Sequence, residues 1–206
     1  MNALKFYFEK VLGRERMFFE IPRPKKPQKL PKALNQEEIK KIIEATENIK
    51  HKLIIQLSYG MGLRVSEIVN LKIEDIDSVK MKVFIERAKG KKDRYANLPK
   101  SILKDLRLYY KEHQPKKFLF EGKYGERYSI RSAQQVFKTA MNKAGIKKTV
   151  GIHALRHSYA THLLEYGTDI SLIQKLLGHN DIKTTLVYTN VANKQISNIE
   201  SPLDKF

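Results

Sequence analysis

Cysteine is absent from this chain of 206 residues, which excludes a disulfide framework, thiolate chemistry and a cysteine-based zinc site. No apolar run approaches the roughly 20 residues that span a membrane, and residues 1–10 lack the apolar segment of a signal peptide. The sequence also contains no internal repeat. These absences favour a soluble cytoplasmic protein without a membrane partner.

Acidic residues are scarce as well. The sequence has 22 Asp and Glu against 40 Lys and Arg, which gives a formal net charge of +18. A domain this basic is expected to be drawn to polyanions, nucleic acids above all. The charge does not indicate which nucleic acid, and a ribosomal protein or an ordinary soluble basic protein stays an alternative.

Two segments precede the main domain. Residues 2–12 have the apolar spacing of one short amphipathic helix, which is too short to be stable alone in water. Residues 21–33 hold four prolines and no acid, so they exclude helix and sheet and predict an extended linker. This linker is either a solvated spacer or a basic strap along DNA phosphates, with contacts expected from Arg23, Lys25, Lys26 and Lys29.

The main domain is predicted to be mainly α-helical with a small antiparallel β-sheet, which is an α+β class. The length and a hydrophobic content of 41% suffice for one such domain and not for two. Asn35 and Glu38 predict a helix start of the capping-box type. Residues 82–85 and 94–98 alternate in polarity around a basic turn, which predicts a hairpin. Further helices are predicted at about 52–59, 63–71, 101–112, 132–144, 153–166 and 170–177, and from Asp181 toward Tyr188.

His153 and Arg156 are the first candidate site residues. They lie three positions apart at the start of a predicted helix and therefore share a face. An arginine fork binds phosphate oxygens, an imidazole can move a proton, and a helix N-terminus attracts anions. His153 and His157 also have a spacing known from zinc sites. However, no Glu follows His153 as in a zinc-protease helix, and Arg156 would repel a cation, so no metal site is predicted.

Four other candidates each have an ordinary alternative. Arg64 and Glu67 are either a helix-surface ion pair or a phosphate-binding arginine held by a carboxylate. Lys89 lies in the basic hairpin turn, which either is solvated or brings an ammonium group to a leaving oxygen. His179 follows a helix end, where it can simply act as a cap. Tyr188 can simply be an aromatic residue of the core.

Together these residues resemble the tyrosine recombinase family, which includes phage integrases, Xer-type recombinases and integron integrases. The segments GLRVSEIVNL, HALRHSYATHLLEYG, IQKLLGH and TTLVYTN are similar to its conserved blocks, and the likeness extends from about residue 34 to 191. The resemblance implies the tyrosine recombinase catalytic-domain fold. It also implies a site-specific recombinase or integrase that works without metal, cofactor or ATP. Its catalytic side chains would be Arg64, Lys89, His153, Arg156, His179 and Tyr188.

The resemblance implies a role for each of them. Tyr188 attacks a DNA phosphate and forms a 3′-phosphotyrosine. Because the pKa of a free tyrosine is near 10, it needs a proton acceptor, and His153 is the candidate.

The remaining catalytic residues act on the phosphate and on the leaving oxygen. Arg64 and Arg156 clamp the non-bridging oxygens, and His179 donates a further hydrogen bond there. Lys89 protonates the departing 5′ oxygen. Glu67 supports the Arg64 side.

The family also implies an organisation and partners. Residues 1–20 would be a remnant of the last helix of a core-binding domain, and residues 34–206 the catalytic domain, with an exchanged tail from about 193. The expected partner is double-stranded DNA of a prokaryote, virus or mobile element. The protein is expected to be a monomer alone and to form a tetramer on this DNA. Hairpin contacts to this DNA are expected from Lys91, Lys92 and Arg94.

Two other functions stay open at this point. A topoisomerase-like enzyme that relaxes DNA would share the chemistry and differ by lacking synapsis. A non-catalytic DNA-binding module or regulator would keep the fold alone. The complete catalytic set argues against the second, since a degenerate copy is expected to have lost some member of it.

Overall fold

The structure, a computed structural model, describes residues 6–13, 33–86 and 93–189. Its helices are α1 (Gln36–Glu44), α2 (Ile49–Gly60), α3 (Val65–Asn70), α4 (Lys100–His113), α5 (Ile130–Lys143), α6 (His153–Glu165), α7 (Ile170–Leu177) and α8 (Lys183–Leu186). A 3-10 turn at Ile73–Asp75 precedes the antiparallel strands β1 (Ile76–Asp77), β2 (Lys82–Ile85) and β3 (Arg94–Asn97), which pair in that order. The predicted mainly α-helical architecture with a small antiparallel sheet is confirmed.

Local sequence sets several helix ends. The Asn35 side chain accepts a hydrogen bond from the backbone N of Glu38 at 2.8 Å, and the Glu38 carboxylate accepts one from the backbone N of Asn35 at 2.8 Å. This capping box starts α1. At the other end of the domain, Gly178 ends α7 with a φ of 62°, a conformation that favours glycine. That turn directs the chain toward α8.

Several elements differ from the prediction, and three of the differences have a clear physical reason or affect a whole element. The helix expected from residue 63 begins at Val65, because Arg64 is its extended N-cap residue. The two-residue strand β1 was not expected, since so short a segment carries no alternation to detect. The helix expected over 2–12 is, within the described residues, a π-helical turn at Tyr7–Val11 with no buried residue.

Some predicted segments lie outside the described residues, and the predictions for them stay predictions. They are the linker up to residue 32 with Arg23, Lys25, Lys26 and Lys29, the hairpin turn with Lys89, Lys91 and Lys92, and the tail from about 193. Of the helices in the described ranges, none has the length and apolar content to cross a membrane.

Helix α6 lies between two apolar clusters. Its Leu155 belongs to the main core, which is built by α1 to α5 and the sheet. Its Ala160 and Leu164 belong to a smaller cluster with Ile173 of α7 and Tyr188. Because apolar contacts hold α6 on both sides, the side chains of its first turns have fixed positions at the junction of the two clusters.

Candidate active site

A pocket of about 380 Å³ opens where the start of α3, the first turns of α6 and the end of α8 meet. Its lining consists of Arg64, His153, Arg156, His157, His179, Thr184, Val187 and Tyr188. Five of the six predicted catalytic side chains are therefore together, and Lys89 lies outside the described residues. Among the described residues that line this space there are two arginines and no acidic residue, so it suits an anion.

Arg156 is the most rigidly held group of the pocket. Its side chain is 5% exposed. Its guanidinium donates hydrogen bonds to the backbone oxygens of Gly62 and Leu177, both at 2.6 Å. Gly62 has a φ of 61°, and a Cβ at this position would lie 2.5 Å from the ring of Tyr159. The two hydrogen bonds to the backbone oxygens of Gly62 and Leu177 therefore fix where the Arg156 fork points.

Glu67 connects the arginines behind the pocket. Its carboxylate accepts hydrogen bonds from the backbone N and Nη1 of Arg64, both at 2.9 Å. It accepts two more from Arg94, at 2.9 and 3.0 Å, and lies 3.8 Å from Nη1 of Arg156. Burial raises the pKa of Glu67, but the hydrogen bonds and charges of Arg94 and the neighbouring groups lower it to about 2. The carboxylate is therefore ionised and orients two cations that line the pocket.

Arg94 does something different from the expected DNA contact. Its side chain is 9% exposed, and its Nε donates a hydrogen bond to the backbone oxygen of Leu176 at 3.1 Å. Three of the five N–H donors of its guanidinium are engaged with Glu67 and Leu176, and the side chain is mostly buried, so its main contacts are within the protein. The structure corrects the prediction: Arg94 ties β3 to Glu67 and to the end of α7.

Acid is expected to destabilise the fold through Glu67. A carboxyl whose pKa falls from 4.5 to about 2 on folding contributes roughly 3 kcal/mol. Because the folded pKa is the lower one, this contribution is complete above pH 4.5 and is lost as the pH falls through about 2. Urea titrations of the wild type and of Glu67→Gln across this range measure it. The difference in unfolding free energy should shrink in acid, and a constant difference would contradict the assignment.

Tyr188 lies at the edge of the pocket with 3% of its surface exposed. Its Oη is 2.9 Å from Nδ1 of His157. Its ring stacks on that of His179 with 6.4 Å between the centroids. Burial raises the pKa of Tyr188, and the charges of Arg156 and Arg64 oppose the shift.

His153 and His179 complete the lining. The Nδ1 of His179 lies 3.0 Å from Oγ1 of Thr185, which is fully buried. This contact holds the ring against Tyr188. His153 as a whole residue is exposed, but it also lines the pocket, where partial burial of its ring, and then the charges of Arg156 and Arg64, lower its pKa.

The group at the Tyr188 hydroxyl is a different histidine from the one expected. The sequence pointed to His153, and the structure places His157 there. The available signal was the spacing of four residues between them, which puts both rings on one face of α6. In the sequence, that spacing indicates a metal pair as readily as a contact with a tyrosine distant along the chain. Within the described residues, no group of three side chains is arranged to hold a metal ion.

The combination defines the class of protein. A buried phenol beside two guanidinium groups and three imidazoles, on a mainly helical domain with a three-stranded sheet, is the arrangement of a tyrosine recombinase catalytic domain. The chain belongs to the phage integrase family, whose family model matches residues 32–195.

Known proteins agree with this. The tyrosine recombinase XerA of Pyrococcus horikoshii is 41% identical over 200 residues, which cover 95% of this chain and 69% of that protein. This chain spans 66% of the length of a matched relative from Sinorhizobium fredii.

Solved structures show the same fold. The crystal structure of XerA recombinase has a TM-score of 0.77 and 30% identity over 85% of this chain and 68% of that one. The XerH site-specific recombinase in a post-cleavage complex with palindromic difH substrate has a TM-score of 0.76 and 27% identity, covering 85% of this chain and 54% of that one.

Proposed function

We propose that this chain is the catalytic domain of a site-specific recombinase that cuts and rejoins double-stranded DNA through Tyr188. The observation that carries the proposal is the shared pocket, which Tyr188 lines together with Arg64 and Arg156, and in which both arginines act on the Tyr188 phenol. The related XerH recombinase has been solved with its difH substrate both before and after cleavage, which supports the same reaction here.

Each pocket residue has a separate role in the attack on the phosphate. Oη of Tyr188 attacks phosphorus, and the bond to the 5′ oxygen breaks, which leaves a 3′-phosphotyrosine. Arg64 and Arg156 bind the non-bridging oxygens and stabilise the charge that grows in the transition state. His153 and His179 lie on the same walls and donate hydrogen bonds to these oxygens.

The leaving 5′ oxygen needs a proton, because a sugar alkoxide is a poor leaving group. Lys89 of the hairpin turn is the proposed acid. The phosphotyrosine keeps the energy of the broken bond, so a 5′ hydroxyl from a partner duplex can attack it without ATP. The protein's own cations serve the phosphate in this scheme, and no cofactor takes part.

The proposed partner is DNA inside a cell. The formal charge of +18 favours binding to the phosphate backbone, with strong salt dependence. We further propose that the protein is a monomer in solution and a tetramer on DNA. Strand exchange joins two duplexes, and both strands of each duplex are cut, so one subunit is needed for each of the four strands.

Covalent capture tests the proposal. The protein is mixed with nicked suicide duplexes of random sequence, in a buffer of low salt that contains EDTA. Once such a duplex is cut, the cut strand cannot be rejoined. We expect an SDS-resistant protein–DNA adduct, whose sequence identifies the target. DNA retention without any adduct would favour the non-catalytic binding module. Transfer of the captured strand to a second duplex then separates a recombinase from an enzyme that only relaxes DNA.

A further inference from the structure

The contact between His157 and Tyr188 bears on a step that the family resemblance assigned to His153. The Nδ1 of His157 and the Oη of Tyr188 lie 2.9 Å apart, and the two ring centroids are 5.7 Å apart. In the tautomer that carries its proton on Nε2, Nδ1 of a neutral ring accepts the hydroxyl hydrogen. The imidazole of His157 therefore already contacts the Oη atom of Tyr188, which must lose its proton before or during the attack.

The surroundings of His157 favour the neutral ring. Within the part of the chain that the structure describes, the charged and titratable groups that face it are His153 and Arg156 of its own helix, Arg64 at the start of α3, His179 before α8, and Tyr188 itself. None of them is a carboxylate. Burial, and then His153 and Arg156, lower the pKa of His157, so the ring is unprotonated and able to accept a proton at neutral pH.

We propose that His157 is the proton acceptor of Tyr188 in the cleavage step, a role that rests on the function proposed above. As the bond from Oη to phosphorus forms and the bond from phosphorus to the 5′ oxygen breaks, the Oη proton moves to Nδ1 of His157. The 5′ oxygen takes its proton from Lys89. In rejoining, the 5′ hydroxyl bonds to phosphorus and gives its proton to Lys89, while the bond from phosphorus to Oη breaks and His157 returns its proton to Oη.

The need for an acceptor follows from the position of the phenol. Tyr188 is almost fully buried, and burial raises its pKa above the ordinary 10, so the free phenolate is scarce at neutral pH. A positioned general base contributes typically 10²–10⁴-fold. His153 faces the same pocket from one turn earlier on α6, which leaves its ring available for the phosphate oxygens.

The test compares two variants of α6 with the wild type. Asn in place of His157 offers a hydrogen-bonding group near the Nδ1 position but cannot take a proton. His162→Asn is the matched control, because Nδ1 of His162 lies 3.0 Å from Oη of Tyr59, the same kind of contact on the same helix outside the pocket. The rate of adduct formation is measured in single turnover on the captured target between about pH 5 and 10.

For the wild type we expect a rate that falls in acid, as His157 becomes protonated, and that is level above its pKa. His157→Asn is expected to be slower by about 10²–10⁴-fold at neutral pH. Its rate should lose the level region above the pKa of His157 and should instead rise about tenfold per pH unit across the range, as hydroxide removes the phenol proton. His162→Asn should keep the wild-type profile. Thermal unfolding checks each variant, and His157→Gln replaces the Asn variant if that one fails to fold.

A His157→Asn rate close to that of the wild type, with the acid limb intact, would overturn the assignment. A faster rate would overturn it too, and would show that the contact restrains Tyr188. A wild type that forms no adduct at any pH would instead refute the proposed function itself.

Discussion

Tyr188→Phe is expected to form no covalent adduct with DNA under any condition. The substitution removes the atom proposed to attack phosphorus and keeps the ring that packs among Ala160, Ile173 and Leu177. Loss of the hydrogen bond to His157 should lower the unfolding free energy by only about 1 kcal/mol. Gel shifts should show nearly unchanged DNA binding, because the phosphate-binding arginines remain in place.

The comparison separates catalysis from folding and binding. Urea titration reports the stability of the variant, and denaturing gels report the adduct. An adduct that persists in Tyr188→Phe would show that another residue is the nucleophile.

Arg156→Lys is expected to slow adduct formation by about 10²–10³-fold, the usual effect of removing one transition-state donor. A lysine has one ammonium group and cannot replace a planar fork that donates to Gly62 and Leu177 at once. A buried carbonyl then loses its donor, so the unfolding free energy should also fall by about 1–3 kcal/mol.

Arg64→Lys is the matched comparison for this variant. The side chain of Arg64 is 30% exposed, against 5% for Arg156, and among the described residues its ion pair is with Glu67. We expect a similar loss of rate with a stability change below about 1 kcal/mol, because a partly exposed ion pair contributes little. Single-turnover adduct rates and urea titrations measure both quantities. Full activity of Arg156→Lys would contradict a phosphate clamp.

The parts of the fold that local sequence controls could be predicted. The capping box of Asn35 and Glu38 starts α1, and Gly178 ends α7, where the sequence placed them. Helix α6 begins at His153 as expected. The strand β1 could not be predicted, because two residues acquire their pairing only from β2.

The same holds for the site: the sequence predicts which residues belong to it, but not which of them contact each other. The order of the candidate residues along the chain indicated which side chains would gather, and five of them line one pocket. Their partners depend on contacts across the fold. Glu67 and Arg94 are 27 positions apart, and His157 and Tyr188 are 31 apart. Since Arg94 is on a strand beside a basic turn, its sequence favoured a surface contact, and only the packing of β3 against α7 shows that it is buried.

The most direct test of this account locates the DNA on the protein. The captured adduct is digested with nuclease and trypsin, and the modified peptide is sequenced by mass spectrometry. The account predicts a nucleotide joined through its 3′ phosphate to Tyr188, within the tryptic peptide of residues 184–194. A nucleotide on any other residue, or one joined through its 5′ phosphate, would contradict it.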